Sequence, residues 1–425
     1  MKKIFKIIGL IILAAGILMF IYYYVNNEPL PKGKQGVEAD ALANKMLKSL
    51  NFEAYQHTEI IEWSFRGEHH YIWNKKSNNV SVKWNNIKAI LHTKNPKKNE
   101  LFVDGRATQN EELIQKAIDY FNNDSFWLVA PFKVFENGVE RRLVKYKNRD
   151  ALLVTYTSGG STPGDSYLWI LKENGMPSSF KMWVDIIPVG GVSATWNDWV
   201  TTSSGIKLPS KHKLSVANLD LDMGLVKASN PKADALANNL LKAIKHNAYK
   251  NTRYIAWSFR GKRFFKWDKQ AHIIDVQWGK NKVILHPNNL EKSTLFIDGK
   301  EIIENKEKLI KRAEAIFNND SFWLVGPHKL FETGILRTVV QVKGKDALKV
   351  TYTTGGTTPG DSYIWILNDD FLPIKFLMTI PSMKMNQVPA TWEEWITTKS
   401  GTLLPKNHTF SSGGKLSMGN VKGYN

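Results

Sequence analysis

Apolar residues recur with two different periods along the chain. Over 39–55 and over 111–122 they return every third or fourth position, which is the spacing of one helix face. Elsewhere apolar and polar residues alternate in short runs, which is the pattern of half-buried strands. The predicted strands of the first half are 59–66, 70–73, 80–84, 88–91, 101–103, 142–147, 152–157, 166–171, 179–186, 196–201 and 206–216. The aromatic stretch 125–135 contains Pro131, so we expect a helical turn and a loop there.

The whole pattern occurs twice. The stretch 155–171, TYTSGGSTPGDSYLWIL, returns at 351–367 as TYTTGGTTPGDSYIWIL, with 14 of 17 positions identical. Shorter matches follow in the same order: ADALAN begins at 39 and 233, WSFRG at 63 and 257, and FNNDSFWLV at 121 and 317. The repeated unit is too long for a solenoid and long enough to own a core. We therefore predict a tandem duplication, with domains at 38–228 and 232–425.

The repeated stretch itself predicts a hairpin. Alternating aromatic and β-branched residues flank a loop that holds two glycines, a Pro-Gly step and an aspartate. A glycine-rich phosphate cradle would be followed by a helix, whereas another strand follows here. About ten antiparallel strands and two helices per copy predict an α+β fold, in which helices pack against the concave face of a curved sheet or open β-barrel.

The first 37 residues have a different pattern. Residues 7–25 form an uncharged run that follows Lys2, Lys3 and Lys6. A helix of this length nearly crosses a hydrocarbon core, and the lysines favour a cytoplasmic N-terminus. A cleaved signal peptide shares the charged start, but no small-residue cleavage site follows the run. We predict an uncleaved transmembrane helix as a membrane anchor at 1–26, a linker at 27–37, and a single-pass inner-membrane protein with periplasmic domains.

Charge and composition exclude several classes of protein. The chain has a net charge of +19 and no cysteine, which excludes disulfides and thiolate chemistry. Lys and Arg minus Asp and Glu give 24 − 21 = +3 for 38–227 and 29 − 17 = +12 for 232–422. The excess is scattered as single lysines, which argues against nucleic-acid binding. Two explanations of the positive charge are left: attraction to an anionic membrane or envelope polymer, and an ordinary solvated surface.

Aromatic residues concentrate on one face of the early predicted strands in both copies. Two interpretations are open: the aromatic face lines a cavity for an apolar ligand, or the helices pack on it and form a solid core. The candidate ligand-binding residues are Trp63, Phe65, Arg66, Tyr71, Trp73, Trp84, Trp127, Trp257, Phe259, Arg260, Phe265, Trp267, Trp278 and Trp323. For Arg66 and Arg260 the alternatives are a bond to helix-terminal carbonyls, a ligand headgroup or a surface ion pair.

Polar residues offer little for catalysis. His92/His286 and His212/His408 occupy equivalent places, but no HExxH, GxSxG or Walker motif is present. The segment 122–125, NNDS, is expected to end one helix and cap the next turn, because Asp and Ser accept free backbone N–H groups. An acid pair of Asp124 and Asp165 has no support beyond its composition. We predict no catalytic residue, no metal and no cofactor.

Several short motifs suggest a family. They are FVDG at 102–105, YLWILKENGMP at 167–177, WNDW at 196–199 and SGIKLP at 204–209, with counterparts FIDG at 296–299, YIWIL at 363–367, WEEW at 392–395 and GTLLP at 401–405. On these motifs each copy resembles the outer-membrane lipoprotein carrier (Lol-type) superfamily of open β-barrels; uncharacterised envelope proteins of Bacteroidetes-type bacteria look similar. The resemblance implies a cavity for acyl chains between sheet and helices. It also implies an early-strand arginine that holds a helical lid, for which Arg66 and Arg260 are the candidates.

The leading hypothesis is a membrane-anchored, non-catalytic tandem module that binds a lipid or other amphiphilic ligand. A second hypothesis is an envelope scaffold that binds a protein partner and has solid-packed domains, in which Trp63→Ala would unfold the first copy. A third is a hydrolase of an envelope polymer that uses Asp124 and Asp165 or the paired histidines. Loss of activity on a substrate panel in Asp165→Asn and Asp361→Asn would establish the third over binding.

Overall fold

The computed structural model describes residues 16–17, 23–158, 163–353 and 360–425. The chain divides into two compact units that meet between Ser229 and Asn230. The sequence places the two copies at 38–228 and 232–425, on either side of the same point.

Besides the helical residues 16–17 and 23–26, the first unit contains three helices and fifteen strands among its described residues. The helices are α1 (Val37–Leu50), α2 (Phe52–His57) and α3 (Glu111–Val129), with 3-10 turns at Pro96–Lys98, Ala130–Lys133 and Val216–Asn218. The strands are β1 (Ile60–Phe65), β2 (His69–Asn74), β3 (Asn79–Trp84), β4 (Ile87–His92), β5 (Glu100–Val103), β6 (Arg106–Thr108), β7 (Val139–Tyr146), β8 (Arg149–Tyr156), β9 (Ser166–Leu171), β10 (Pro177–Trp183), β11 (Val192–Thr195), β12 (Asn197–Thr201), β13 (Lys207–Lys213), β14 (Asp220–Asp222) and β15 (Lys227–Ser229).

These strands form three antiparallel sheets. The orders are β15-β1-β2-β3-β4-β5-β6, β11-β10-β9-β8-β7 and β12-β13-β14. Helix α1 packs against β7 and β8, whereas α3 packs against β4, β5 and β13. Helix α3 therefore lies where the seven-stranded sheet and the three-stranded sheet approach each other.

The second unit repeats this plan. Its helices are α4 (Pro231–Ala243), α5 (His246–Asn251) and α6 (Glu307–Val325), with 3-10 turns at Leu290–Lys292, Gly326–Lys329 and Pro381–Met383. Its strands are β16 (Tyr254–Phe259), β17 (Arg263–Asp268), β18 (Ile273–Trp278), β19 (Asn281–Leu285), β20 (Thr294–Ile297), β21 (Lys300–Ile302), β22 (Ile335–Val342), β23 (Lys345–Tyr352), β24 (Ser362–Leu367), β25 (Pro373–Ile380), β26 (Met385–Thr391), β27 (Ile396–Thr397), β28 (Leu403–Leu404), β29 (Asn407–Thr409), β30 (Lys415–Ser417) and β31 (Lys422–Tyr424).

The sheets of the second unit follow the same orders with one difference. They are β21-β20-β19-β18-β17-β16-β31 and β22-β23-β24-β25-β26, and the third sheet is split into the pairs β27-β28 and β29-β30. Helix α4 packs on β22 and β23, and α6 packs on β19 and β20. The duplicated sequence therefore produces the same helix positions in each unit.

The predicted fold class needs correction. The structure is mostly sheet, with 42% strand and 26% helix, and each unit divides its strands among several antiparallel sheets. The prediction of an α+β fold with one curved sheet or open barrel per copy is therefore wrong. The physical reason is that α3 follows β6 and interrupts the ladder, so that β7 begins a new sheet with β8.

The predicted membrane anchor is also corrected. No helix in the described part of the chain is long enough and apolar enough to cross a membrane. The two longest helices between residues 37 and 425, α3 and α6, have 19 residues each and carry charged side chains on their solvent faces. This finding speaks against the transmembrane helix and the single-pass inner-membrane location, and both predictions are withdrawn. Residues 7–15 and 18–22 of the predicted segment lie outside the described residues.

The repeated hairpin is confirmed on its two flanks. Strands β8 and β9 pair antiparallel from Leu152 opposite Trp169 to Thr155 opposite Ser166. In the second unit β23 and β24 pair in the same way. The loop tips at 159–162 and 354–359 lie outside the described residues.

Candidate functional site

A cavity of about 440 Å³ opens in the first unit beside the C-terminal half of α3. Its walls come from α3, from the five-stranded sheet with the segment after β10, and from the region around β14. The lining residues are Phe65, Arg66, Asn122, Asn123, Ser125, Phe126, Trp127, Ala130, Lys133, Tyr156, Asp165, Tyr167, Met182, Val184, Ile186, Ile187, Leu214, Leu219 and Leu221. Most of these side chains are aliphatic or aromatic.

Helix α3 supplies one wall because of its periodicity. Asn122, Asn123, Phe126 and Trp127 are spaced so that they share one side of the helix, and all four line the cavity. Asp124 lies between them in sequence and contacts His69 and Tyr71 instead. A single helical stretch therefore carries both cavity residues and a residue that ties the helix to β2.

Aromatic rings build the cavity wall. The Phe126 ring lies 4.4 Å from that of Tyr167, and Trp127 lies 5.7 Å from Phe180 and 5.3 Å from His212, measured between ring centroids. Burial raises the pKa of Tyr156 and, with the neighbouring Asp165 carboxylate, that of Tyr167. Both phenols are therefore neutral at physiological pH and present mainly apolar rings to the cavity.

Two cations stand at the cavity. Arg66 follows β1 in a left-handed conformation with φ of 54°, and its guanidinium is 3.9 Å from the Glu68 carboxylate. Lys133 extends its ammonium group to 5.9 Å from the Trp73 ring. Asp165 is the carboxylate among the lining residues; it is buried and accepts a hydrogen bond from the Tyr167 hydroxyl at 3.2 Å. The lining residues therefore include two cations, one carboxylate and the amides of Asn122 and Asn123.

The structure places the predicted ligand residues in three kinds of position, with Arg260 in a turn besides. Phe65, Arg66 and Trp127 line the cavity. Core positions with less than a tenth of their surface exposed are taken by Trp63, Tyr71, Trp84, Trp257, Phe259 and Phe265. Partly buried positions outside the cavity lining are taken by Trp73, Trp267, Trp278 and Trp323. Arg260 occupies a turn with φ of 55°, next to the Phe259 ring.

Stacking explains why the early aromatic residues are core. The Trp63 and Tyr71 rings stack at 4.5 Å on adjacent strands, and Trp73 meets Phe121 of α3 edge-on at 5.5 Å. Trp84 meets Tyr120 of the same helix edge-on at 5.6 Å. The apolar face of α3 therefore fills the space above these strands.

The predicted cap at 122–125 is wrong. Helix α3 continues through these residues to Val129, and Asp124 is 1% exposed inside the unit. Its Oδ2 accepts a hydrogen bond from the Tyr71 hydroxyl at 2.5 Å and lies 2.7 Å from Nδ1 of His69. An NNDS segment caps or continues a helix with equal local plausibility. Contacts with His69 and Tyr71 on β2 decide between a cap and a continued helix, and the local sequence pattern does not predict these contacts.

The second unit keeps the aspartate and changes its partners. Arg263 stands at the position equivalent to His69, and its Nε lies 2.7 Å from Oδ2 of Asp320. Burial, partly offset by Asn319 and Arg263, raises the pKa of Asp320 to about 6. The early-strand arginine that holds a long helix is thus Arg263, three residues after the candidate Arg260. In the sequence, the constant offset between the two copies places Arg263 opposite His69.

Leu214 of the cavity lining is replaced by the larger Phe410 in the second unit. Leu214 bridges to Ala194, and Phe410 bridges to Ala390 at the same place in the second unit. The Phe410 ring packs 5.3 Å from Trp323, which is the counterpart of Trp127. In the second unit, the Phe410 ring therefore packs on Trp323, whose counterpart Trp127 faces the cavity in the first unit.

The paired histidines occupy structural positions. His212 and His408 are buried, and their Nδ1 atoms lie 2.8 Å from the carbonyl oxygens of Thr195 and Thr391. Burial lowers the pKa of each to about 4. Each is therefore a neutral donor to a backbone carbonyl. Within the described ranges no group of three or more His, Cys, Asp or Glu residues has the arrangement of a metal site.

Comparisons with known proteins add little to this geometry. No protein-family model matches the chain, and no curated protein matches it. A similar solved structure is the crystal structure of a DUF1329 family protein from Desulfovibrio piger, at 11% identity and a TM-score of 0.27, over 45% of this chain and 92% of that one. A likeness of this size carries no argument. The resemblance to lipoprotein carriers therefore stays unconfirmed.

Proposed function

We propose that the first unit binds an amphiphilic ligand with an apolar body, without converting it chemically. The observation that carries the proposal is the cavity of about 440 Å³ beside α3, whose wall is mainly aliphatic and aromatic. Ligand sites have volumes of roughly 300–1,000 Å³ and combine apolar walls with a few polar groups. An acyl chain or a molecule of similar shape fits this description.

The cations at the cavity favour an anionic head on that ligand. Arg66 and Lys133 both line the cavity, where an ammonium or guanidinium group attracts a carboxylate or phosphate. The unconfirmed resemblance to lipoprotein carriers would imply the same kind of ligand.

The chain itself provides the variant that tests this proposal. Leu214→Phe introduces the residue that the second unit tolerates at the equivalent position, so the variant should fold. The added ring volume should reduce ligand binding about tenfold, which corresponds to roughly 1.4 kcal/mol. Leu225→Phe is the matched control, because Leu225 is 75% exposed and does not line the cavity.

The full chain and both variants would be purified without detergent, extracted with organic solvent and analysed by mass spectrometry. Titration with anilinonaphthalene sulfonate would measure binding of a defined amphiphile. We expect lipid and dye binding in the natural chain and in Leu225→Phe, and about tenfold weaker dye binding with less recovered lipid in Leu214→Phe. Absence of lipid together with absence of dye binding in the natural chain would refute the proposal.

A further inference from the structure

The two units differ most clearly in charge on the face formed by their first two helices. In the second unit a groove of about 680 Å³ lies along α4 and α5 and is lined by Lys242, Lys245, Lys250 and His246, among other residues. The three lysines are exposed, and none forms an ion pair with a described carboxylate. The groove therefore concentrates three free positive charges.

The first unit has mostly uncharged residues at the positions that are equivalent to the groove. At the positions equivalent to Lys245, His246, Asn247 and Lys250 it has Asn51, Phe52, Glu53 and Gln56. Lys48 is the counterpart of Lys242, so the first unit has one lysine and one glutamate here and the second has three lysines. At the positions that line the groove, each charge-changing difference makes the second unit more positive; outside the lining, Lys45 is replaced by Asn239. A solvated surface with no ligand does not require differences in one direction.

One of these differences sacrifices a structural contact. Asn51 is 7% exposed, adopts φ of 62°, and donates from Nδ2 to the Gly205 carbonyl at 2.8 Å. Lys245 adopts the same left-handed conformation, with φ of 55°, but its side chain is exposed. Asparagine tolerates this conformation better than lysine. The second unit therefore has a cation at a position where asparagine is the more stable choice.

We propose that this groove of the second unit binds a soluble ligand that carries several phosphate groups. Lysine ammonium groups bind phosphate as point charges, and three of them along one groove match more than one phosphate. A membrane surface fits less well, because membrane-binding faces add exposed aromatic or aliphatic anchors beside their lysines. The groove residues include no such anchor: its two aliphatic members, Leu241 and Ala248, are half-buried.

The test measures binding of sodium tripolyphosphate to the full chain by calorimetry. The double variant Lys245→Asn/Lys250→Gln restores the residues of the first unit and should weaken binding about tenfold or more, since it removes two charged hydrogen-bond donors to phosphate. The control Lys300→Gln/Lys375→Gln removes the same charge from exposed lysines outside the groove and should change affinity less than about twofold. Circular dichroism checks that both variants fold.

Vesicles of phosphatidylcholine with and without phosphatidylglycerol complete the test. We expect no vesicle binding that depends on Lys245 and Lys250. The proposal is overturned if the natural chain shows no saturable binding of tripolyphosphate, or if the control variant loses as much affinity as the groove variant. It is also overturned if the groove variant loses only vesicle binding, which would assign the lysines to a membrane surface. None of these outcomes depends on the cavity of the first unit.

Discussion

Arg263 on β17 and Asp320 on α6 form an ion pair across the second unit. The Nε–Oδ2 distance is 2.7 Å, Nη2 donates to Oδ1 at 2.9 Å, and the Asp320 side chain is fully buried. In the first unit Asp124 occupies the equivalent place and meets His69 and Tyr71 on β2. Both units thus connect the long helix to the second strand through one buried aspartate.

Removal of Arg263 should destabilise the second unit. Arg263→Ala leaves the Asp320 carboxyl buried with less compensation, which costs about 3 kcal/mol of unfolding free energy. Urea unfolding followed by tryptophan fluorescence measures the change. Arg253→Ala is the control, because the Arg253–Asp268 pair is more exposed and its loss should destabilise the unit clearly less. Equal effects of the two variants would show that Asp320 does not depend on Arg263.

Asp320 should make the second unit less stable as the pH rises. Its folded pKa of about 6 lies above the ordinary value of 3.8, mainly because of burial. The protonated carboxyl is therefore favoured by folding: its contribution is fully present below about pH 4 and is lost as the pH rises through 6. The unfolding free energy of the natural chain, relative to that of the Asp320→Asn variant, should fall by about 2–3 kcal/mol between pH 4 and pH 7. A difference that is independent of pH, or that rises with pH, would contradict the raised pKa.

His212 should have the opposite dependence. Burial depresses its folded pKa to about 4, so it contributes stability above its unfolded pKa near 6.5 that is lost as the pH falls towards 4. His212→Asn keeps a donor for the Thr195 carbonyl and should remove up to about 3 kcal/mol of this pH dependence. Urea unfolding at pH 7 and pH 4.5 measures it. His70→Asn, at an exposed position on β2, should leave the profile of the natural chain unchanged.

Trp63 and Trp127 should respond differently to truncation. Trp63 is 3% exposed and stacks on Tyr71, so Trp63→Ala should cost about 3–5 kcal/mol of unfolding free energy. Trp127 lines the cavity and is half-buried, so Trp127→Ala should cost less stability and reduce dye binding. Thermal unfolding and anilinonaphthalene sulfonate titration separate the two effects. Equal stability losses with unchanged dye binding would contradict this division.

Lys245→Asn alone should stabilise the second unit. The variant replaces a lysine in a left-handed conformation and allows a hydrogen bond like that of Asn51, which together should add about 1 kcal/mol. The reciprocal Asn51→Lys should destabilise the first unit by a similar amount or more, because it also removes a buried contact. Thermal unfolding measures both. A neutral Lys245→Asn would remove the argument that the lysine is retained at a structural cost.

Local pattern predicted the elements well where one face of a segment is apolar. The alternation over 152–157 and 166–171 predicted strands that the structure pairs as β8 and β9. The same logic failed at 122–125, because asparagine, aspartate and serine fit a helix cap as well as a polar helix face. Arg66 and Arg260 are the candidates for the early-strand arginine that the resemblance implies, yet both lie in turns with positive φ.

The sequence by itself determined that the chain is a duplication and which segments alternate, because identical residues at a constant offset and apolar periods are local properties. Tertiary structure alone decided which aromatic residues face a cavity. Trp63 and Trp127 have the same chemistry, but Trp63 is buried beneath Phe121 of α3, whereas Trp127 lies on α3 itself and lines the cavity. It also decided that Asp124 is buried, since its partners His69 and Tyr71 lie more than fifty residues away in the chain. Burial depends on what packs above a residue, and periodicity describes only the residue's own element.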